Sequence, residues 1–213
     1  IVLERNPGYW MMGYPKLSRV VMNIVPERVV QVQGLLTGAL DIAVELTDAD
    51  AKQLEAGRET MVQRGLSSMV FVLAMNCSRP GVSDVRLRQA VSQAIDKQRV
   101  LDTAYGGGKV VATFMDYSSV YYKDFTALLP YDPEKAKRSI AGLGAAAQRE
   151  FEMALPQNYE QHVKAGEIYA DMLSKAGLKV KIRLVDWNTW LADVYRGGNF
   201  DFTVIAQIGR AHV

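Results

Sequence analysis

The chain has 213 residues, 49% hydrophobic and 23% charged, with 25 Lys and Arg against 23 Asp and Glu. This composition belongs to a globular protein with a buried core, long enough for one large domain or two small ones, and it excludes a disordered tail. Gln31, Gln33, Gly34 and Thr37 interrupt even the region from Val29 to Leu40, so no run approaches the ~20 apolar residues of a membrane-spanning helix, and the formal net charge of +2 carries no basic block suited to nucleic acid.

Arg19–Val25 is β-branched and bounded by Pro26, which predicts a strand. From Glu27, the apolar residues Val29, Val32, Leu35 and Leu36 recur at helical spacing up to Gly38. Leu40–Val44 is expected as a second strand, and Thr47, followed by Asp48 and Asp50, opens a short helix with a hydroxyl cap and an acidic first turn. Ser68–Asn76 is apolar at nearly every position and predicts a central strand covered on both faces. The alternation implies an α/β layer.

After the turn-rich Cys77–Gly81, helices dominate. Asp84 is placed to cap a helix over Val85–Ile95, and Asp96 one over Lys97–Ala104, ending at Gly106-Gly107-Gly108. Tyr131-Asp132-Pro133-Glu134 is a helix start with Asp as N-cap and Pro in the first turn. Phe151–Leu155 reads as a strand, Asn158–Ala176 as the longest helix, and Leu178–Val185 as a strand with one wet, basic face; a helix from Trp187 to Tyr195 and a strand Phe200–Ala206 follow.

Few residues invite chemistry. Gly106-Gly107-Gly108-Lys109 lacks the spacing of a phosphate loop, with Thr103 and Val110 at the positions that need Gly and Ser or Thr, and reads as a turn. Cys77 and His162 have no third residue to orient a nucleophile–base pair; Cys77 is expected as a buried or turn residue and His162 as partly exposed. With one thiol and two imidazoles, His162 and His212, no zinc or copper site is expected, and Asp41, Glu45, Asp48 and Asp50 do not have calcium-loop spacing. Arg86 and Arg88 face different sides of their helix and make no shared anion clamp. Tyr117, Tyr121 and Tyr122 on a loop, with Trp187 and Trp190 at a helix start, are candidates for a ligand-lining surface; the alternative for both Trp residues is core packing. An α/β hydrolase or transferase would need a nucleophile elbow, which is not found.

Five segments, in order, resemble the extracytoplasmic solute-binding proteins of ABC importers, family 5, whose members include dipeptide-, oligopeptide- and nickel-binding proteins. They are Asn6-Pro7-Gly8-Tyr9-Trp10 with Pro15, Leu35–Ile42, Asp84–Val91 with Ala94–Lys97, Tyr131–Lys137 and Ala176–Val180. The resemblance implies a two-lobed, periplasmic-binding-protein-like clamshell of the peptide-binding class, with an incomplete first lobe. Residues 1–76 are then expected to be the later part of that lobe, ending in a crossing strand, 77–200 the second lobe and 201–207 the return strand, with hinge residues Asn76 and Asp201. Gln157, Asn158 and Trp187 fall at ligand-lining positions; no catalytic residue, metal or cofactor is implied. The expected function is capture of a peptide or similar solute for delivery to a membrane permease by a periplasmic or otherwise extracytoplasmic monomer without nucleic-acid partners; a hydrolase or transferase, or a receptor for signalling, are the alternatives. The chain is expected to be an internal fragment, so its lack of a leader is uninformative. Residues 208–213 are expected to be a non-native tail and are set aside. The single Cys77 excludes an internal disulfide.

Overall fold

The computed structural model describes residues 1–44, 46–57, 59–113 and 115–207. The suspected tail lies outside them. The chain divides into two compact units, 1–63 and the remainder from Arg64.

In the first unit, β1 (Val2–Glu4) pairs antiparallel with β2 (Arg19–Val21), with Val2 opposite Val21. β2 stops at Val21, short of the predicted Val25, because β1 offers it only three partners. Helix α1 spans Arg28–Leu36. The strand expected over Leu40–Val44 is not formed. Instead the Leu40 N–H donates back to the Gly34 carbonyl at 2.9 Å, folding the chain against α1, and Ile42 and Val44 are exposed, with no strand partner among the described residues. Helix α2 (Asp48–Glu55) starts with a reciprocal cap, in which the Thr47 hydroxyl accepts from the Asp50 N–H and the Asp50 carboxylate accepts from the Thr47 N–H. Asp48 pairs with Lys52 one turn on. These acidic residues thus serve the helix; Glu45 lies outside the described residues.

The second unit is built on a sheet ordered β3-β6-β4-β5: β3 (Val70–Met75), β4 (Glu150–Pro156), β5 (Lys179–Val185) and β6 (Phe202–Gln207). β4 runs parallel to both β5 and β6, while β3 is antiparallel to β6. α3 (Val85–Ala94) and α5 (Pro133–Ala141) pack together, and α7 (Glu160–Lys175) lies against β4 and β5. The core between them holds Leu87, Phe151, Met153, Leu155, Leu173 and Phe202, all without solvent exposure. Each such side chain contributes about 1.5–3 kcal/mol by leaving water.

Two predicted helices change form before their ends. α4 (Lys97–Val100) widens into a π turn over Leu101–Tyr105, and α8 (Trp187–Thr189) into another over Trp190–Arg196. α6 (Ala145–Gln148) is a single turn before β4.

Gly166, in the middle of α7, costs helix stability of about 0.5–1 kcal/mol relative to Ala. Tertiary packing accounts for it: a Cβ there would lie 2.3 Å from Cδ1 of the buried Leu155. Gly166→Ala is therefore expected to destabilise the protein by about 1–2 kcal/mol despite its better helix propensity, read as a lower urea midpoint.

Candidate ligand-binding site

Parallel strands place the loops leaving their C-terminal ends along one border of the sheet, where α/β folds position ligands. β4 and β5 end side by side, with Pro156 opposite Val185. Gln157 and Asn158, leaving β4, and Trp187, just beyond β5, therefore share this border. The Gln157 N–H donates to the Val185 carbonyl at 2.9 Å and ties the two loops together, and the side chains of Gln157 and Asn158 are exposed.

Trp187 stands on a rigid base. Asp186 caps its helix by accepting from the Thr189 hydroxyl and N–H, at 2.6 and 3.0 Å, and these bonds hold its carboxyl below the usual range. The Trp187 ring stacks on Trp190 with centroids 5.1 Å apart and planes 3° apart, and meets Tyr159 edge-on at 5.3 Å. Trp190 is buried, its indole N–H donating to the Thr203 hydroxyl at 3.0 Å, which in turn donates to the Ala154 carbonyl at 2.6 Å. Core packing thus describes Trp190, while Trp187 is half-buried and keeps an open side. Tyr159 was not among the residues singled out from the sequence, although an aromatic directly after Gln157-Asn158 is a signal for it.

His162, expected as partly exposed, is buried, 5% exposed. It sits in the first turn of α7, among the rings of Phe71, Tyr105 and Tyr159, its Nδ1 3.3 Å from the Tyr105 hydroxyl. Its place on the inner side of α7, which periodicity alone did not settle, is the reason. Burial pushes its pKa down to about 4, leaving it neutral at neutral pH. Cys77 is exposed in the turn after β3.

Beside this border a groove of 830 Å³ follows the outer edge of β3. The segment 107–113 forms part of its wall, and Val91, Val100, Gln161 and Gln207 also line it. The glycine run shapes that wall: Gly106 caps the π turn at φ 74°, and Gly107 and Gly108 follow at 118° and 146°. Only glycine adopts such values freely, so the run serves a chain reversal. Arg88, Lys97, Lys109 and Asp116 supply the charge around the groove. Arg88 donates to the Val82 and Ser83 carbonyls, Lys97 to the Ser92 carbonyl, and Lys109 lies over Tyr117 and Tyr122 at 5.3 and 5.8 Å. Tyr121 points to solvent, 81% exposed.

Asn76 and Asp201 meet at the opposite end of the β3–β6 pair. The Asn76 N–H donates to the Asp201 carbonyl at 3.0 Å and its side-chain amide to the Gly198 carbonyl at 2.8 Å. The buried Asp201 carboxylate accepts two bonds from Arg149, at 2.5 and 2.9 Å, one from the Glu152 N–H at 2.8 Å, and a long one from Arg79 at 3.5 Å. Burial opposes its charge, but these partners outweigh it and hold the carboxyl below the usual range.

The sequence matches the family described as bacterial extracellular solute-binding proteins, family 5 middle, over residues 1–211. The chain belongs to that family. It is 25% identical over 203 residues to di/tripeptide-binding protein 3 of Pseudomonas aeruginosa, a match covering 92% of this chain and 38% of the relative. Its fold resembles that of the ABC transporter substrate-binding protein CtaP from Listeria monocytogenes, with a TM-score of 0.86 and 20% identity over 97% of this chain and 43% of the other. It also resembles the binding protein AgaA from A. tumefaciens, solved with agropinic acid, with a TM-score of 0.79 and 26% identity over 98% and 43%. The chain thus spans about two-fifths of the length of the relatives it matches.

Two of the segments carrying the family resemblance, at Asp84 and Asp132, are architectural. Asp84 caps α3 through the Arg86 N–H and pairs with the Arg86 guanidinium at 2.7 Å, while Arg88 closes the preceding turn by holding its carbonyls. Asp132 caps α5 through the Lys135 N–H, with Pro133 at the first helical position. Among the described residues, no helix is long and apolar enough to cross a membrane.

Proposed function

We propose that the full-length protein is the substrate-binding component of an ABC importer, capturing a peptide or similar small solute and delivering it to a membrane permease without transforming it. The observation that carries this reading is the family match together with the border formed by Gln157, Asn158 and Trp187, a rigid aromatic beside exposed amide side chains at the end of parallel strands. The name of the Pseudomonas relative favours a di- or tripeptide, and agropinic acid on AgaA keeps carboxylated small solutes in view. In this reading the protein works in the periplasm as a monomer. Asn76 and Asp201, the expected hinge residues, pin the crossing strands β3 and β6 to each other while the chain moves about them. A solute that prefers the closed arrangement shifts the population toward it, and the permease reads that change.

A thermal-shift screen of the full-length protein against peptides, nickel complexes, sugars and opines tests the reading. A true solute at a hundredfold excess over Kd adds about 2.7 kcal/mol to stability. The expected result is a clear rise with one of these classes; no rise with any of them overturns it. For the solute found, Trp187→Ala is expected to raise Kd at least tenfold by calorimetry, about 1.4 kcal/mol, with Trp187→Phe recovering part of the loss.

A further inference from the structure

The longest helix begins without the device that begins its neighbours. α3 and α5, the other long helices of the second unit, open on Asp84 and Asp132, whose carboxylates accept from first-turn N–H groups. α7 opens on Tyr159, whose side chain makes no capping bond. Its first turn is closed by backbone alone, the Tyr159 carbonyl accepting from the N–H groups of His162 and Val163 at 2.9 and 3.1 Å. A helix start without a cap frays unless something else holds it. This one carries the loop of Gln157 and Asn158.

A row of rings supplies the hold. The His162 ring meets Tyr159 at a centroid distance of 5.2 Å and Phe71 at 5.7 Å. Phe71 stacks on Tyr105 at 4.1 Å, and the Tyr105 hydroxyl reaches His162 Nδ1. Burial pushes the Tyr105 pKa up, so this hydroxyl keeps its proton and is a donor for the imidazole. In the other direction Tyr159 meets Trp187 edge-on, and Trp187 stacks on the buried Trp190. Every ring of the row belongs to the second unit, and His162 joins its β3 end to the end at the solute border. Burying an imidazole costs free energy that a leucine of similar size would not. What the imidazole adds is the bond to Tyr105, which fixes its orientation as an apolar side chain could not be fixed.

Resting on the transport reading above, we infer that His162 is a positioning residue of the solute border: oriented by the Tyr105 hydroxyl, its ring seats Tyr159 against Trp187 and holds the loop of Gln157 and Asn158 at the uncapped start of α7. It acts on the solute through Tyr159 and not by contact. Holding these side chains in one arrangement before the solute arrives spares the ordering cost that binding would otherwise meet.

The test uses the full-length protein with trialanine as probe, affinity read by calorimetry, and the near-ultraviolet circular dichroism of the ligand-free protein as a report on the packed rings. His162→Ala is expected to weaken the ring spectrum and to raise Kd about tenfold, but by less than about twofold when Tyr159→Ala is already present, because the effect passes through that ring. Tyr105→Phe, which removes only the hydroxyl, is expected to raise Kd about threefold, and it carries the test should His162→Ala not fold. Leu173→Ala, a buried substitution in the same helix, is expected to lower the urea midpoint and to leave affinity and spectrum at their wild-type values. Wild-type affinity and spectrum in the His162 and Tyr105 variants, or an equal loss of affinity with and without Tyr159, overturns the inference and leaves the transport reading standing. So does an equal loss in Leu173→Ala, which would make His162 a stabilising residue only. Should trialanine not bind the wild type, the spectrum decides: a band weakened by His162→Ala and Tyr105→Phe but not by Leu173→Ala supports the inference, and an unmoved band overturns it. The transport reading is then judged by the thermal screen.

Discussion

Asp201→Ala is expected to lower the unfolding free energy by about 3–5 kcal/mol, the usual cost of removing one partner from a buried ion pair. The carboxylate gathers three separate pieces of chain: Arg149 and the Glu152 N–H at the start of β4, Arg79 in the turn after β3, and its own position just before β6. Arg149 in turn donates to the Pro80 carbonyl and lies 4.1 Å from the Phe151 ring centroid. Without Asp201 the guanidinium loses its counter-charge in a partly buried position and the Glu152 N–H loses its acceptor. Asp201→Asn, which keeps the shape but not the charge, should fall between the two. Chemical denaturation of the three proteins decides it, and equal midpoints would show that the pair is not holding the strand starts together.

Stability is also expected to decline as pH falls from about 6.5 to about 4, by about 3 kcal/mol from His162 alone. The sign follows from linkage. In the folded protein the imidazole has its pKa depressed to about 4 by burial, whereas in the unfolded chain it titrates near 6.5. Between these values the unfolded chain binds a proton that the folded one does not, so each pH unit lost costs about 1.4 kcal/mol. The contribution is complete above pH 6.5 and gone below 4. Asp201, whose carboxyl is also depressed, adds a loss of the same sign, beginning near the unfolded carboxylate value of about 4 and continuing below it. Melting curves of the wild type and His162→Gln between pH 7 and 4 separate the two, because the variant should lack the slope in the upper window. A wild type with flat stability there would contradict a neutral, buried His162.

Local chemistry accounts for what was legible beforehand. Asp84, Asp96 and Asp132 mark helix starts because a carboxylate accepting the first free N–H groups is a purely local arrangement, and all three caps are formed. The apolar run at 70–75 and the alternation at 179–185 predict their strands for the same reason, since side-chain period and burial are read within a few residues. Gln157, Asn158 and Trp187 follow β4 and β5, which end side by side, while a ligand-lining role for them comes only from the family resemblance.

By itself, then, the sequence determined an α/β chain of the solute-binding family and the positions of most helix starts and strands, although it read 68–76 as a central strand where β3 lies at the edge of the sheet. Only the tertiary structure decided whether Leu40–Val44 would be a strand, because a strand needs a partner, and the chain turns back to Gly34 instead. It alone buried His162, because the face α7 turns inward depends on the rings of Phe71 and Tyr105, which come from elements 91 and 57 residues away. It alone showed that β3 lies at a sheet edge with a groove beside it, because strand order is a long-range pairing with no local signature in Val70–Met75.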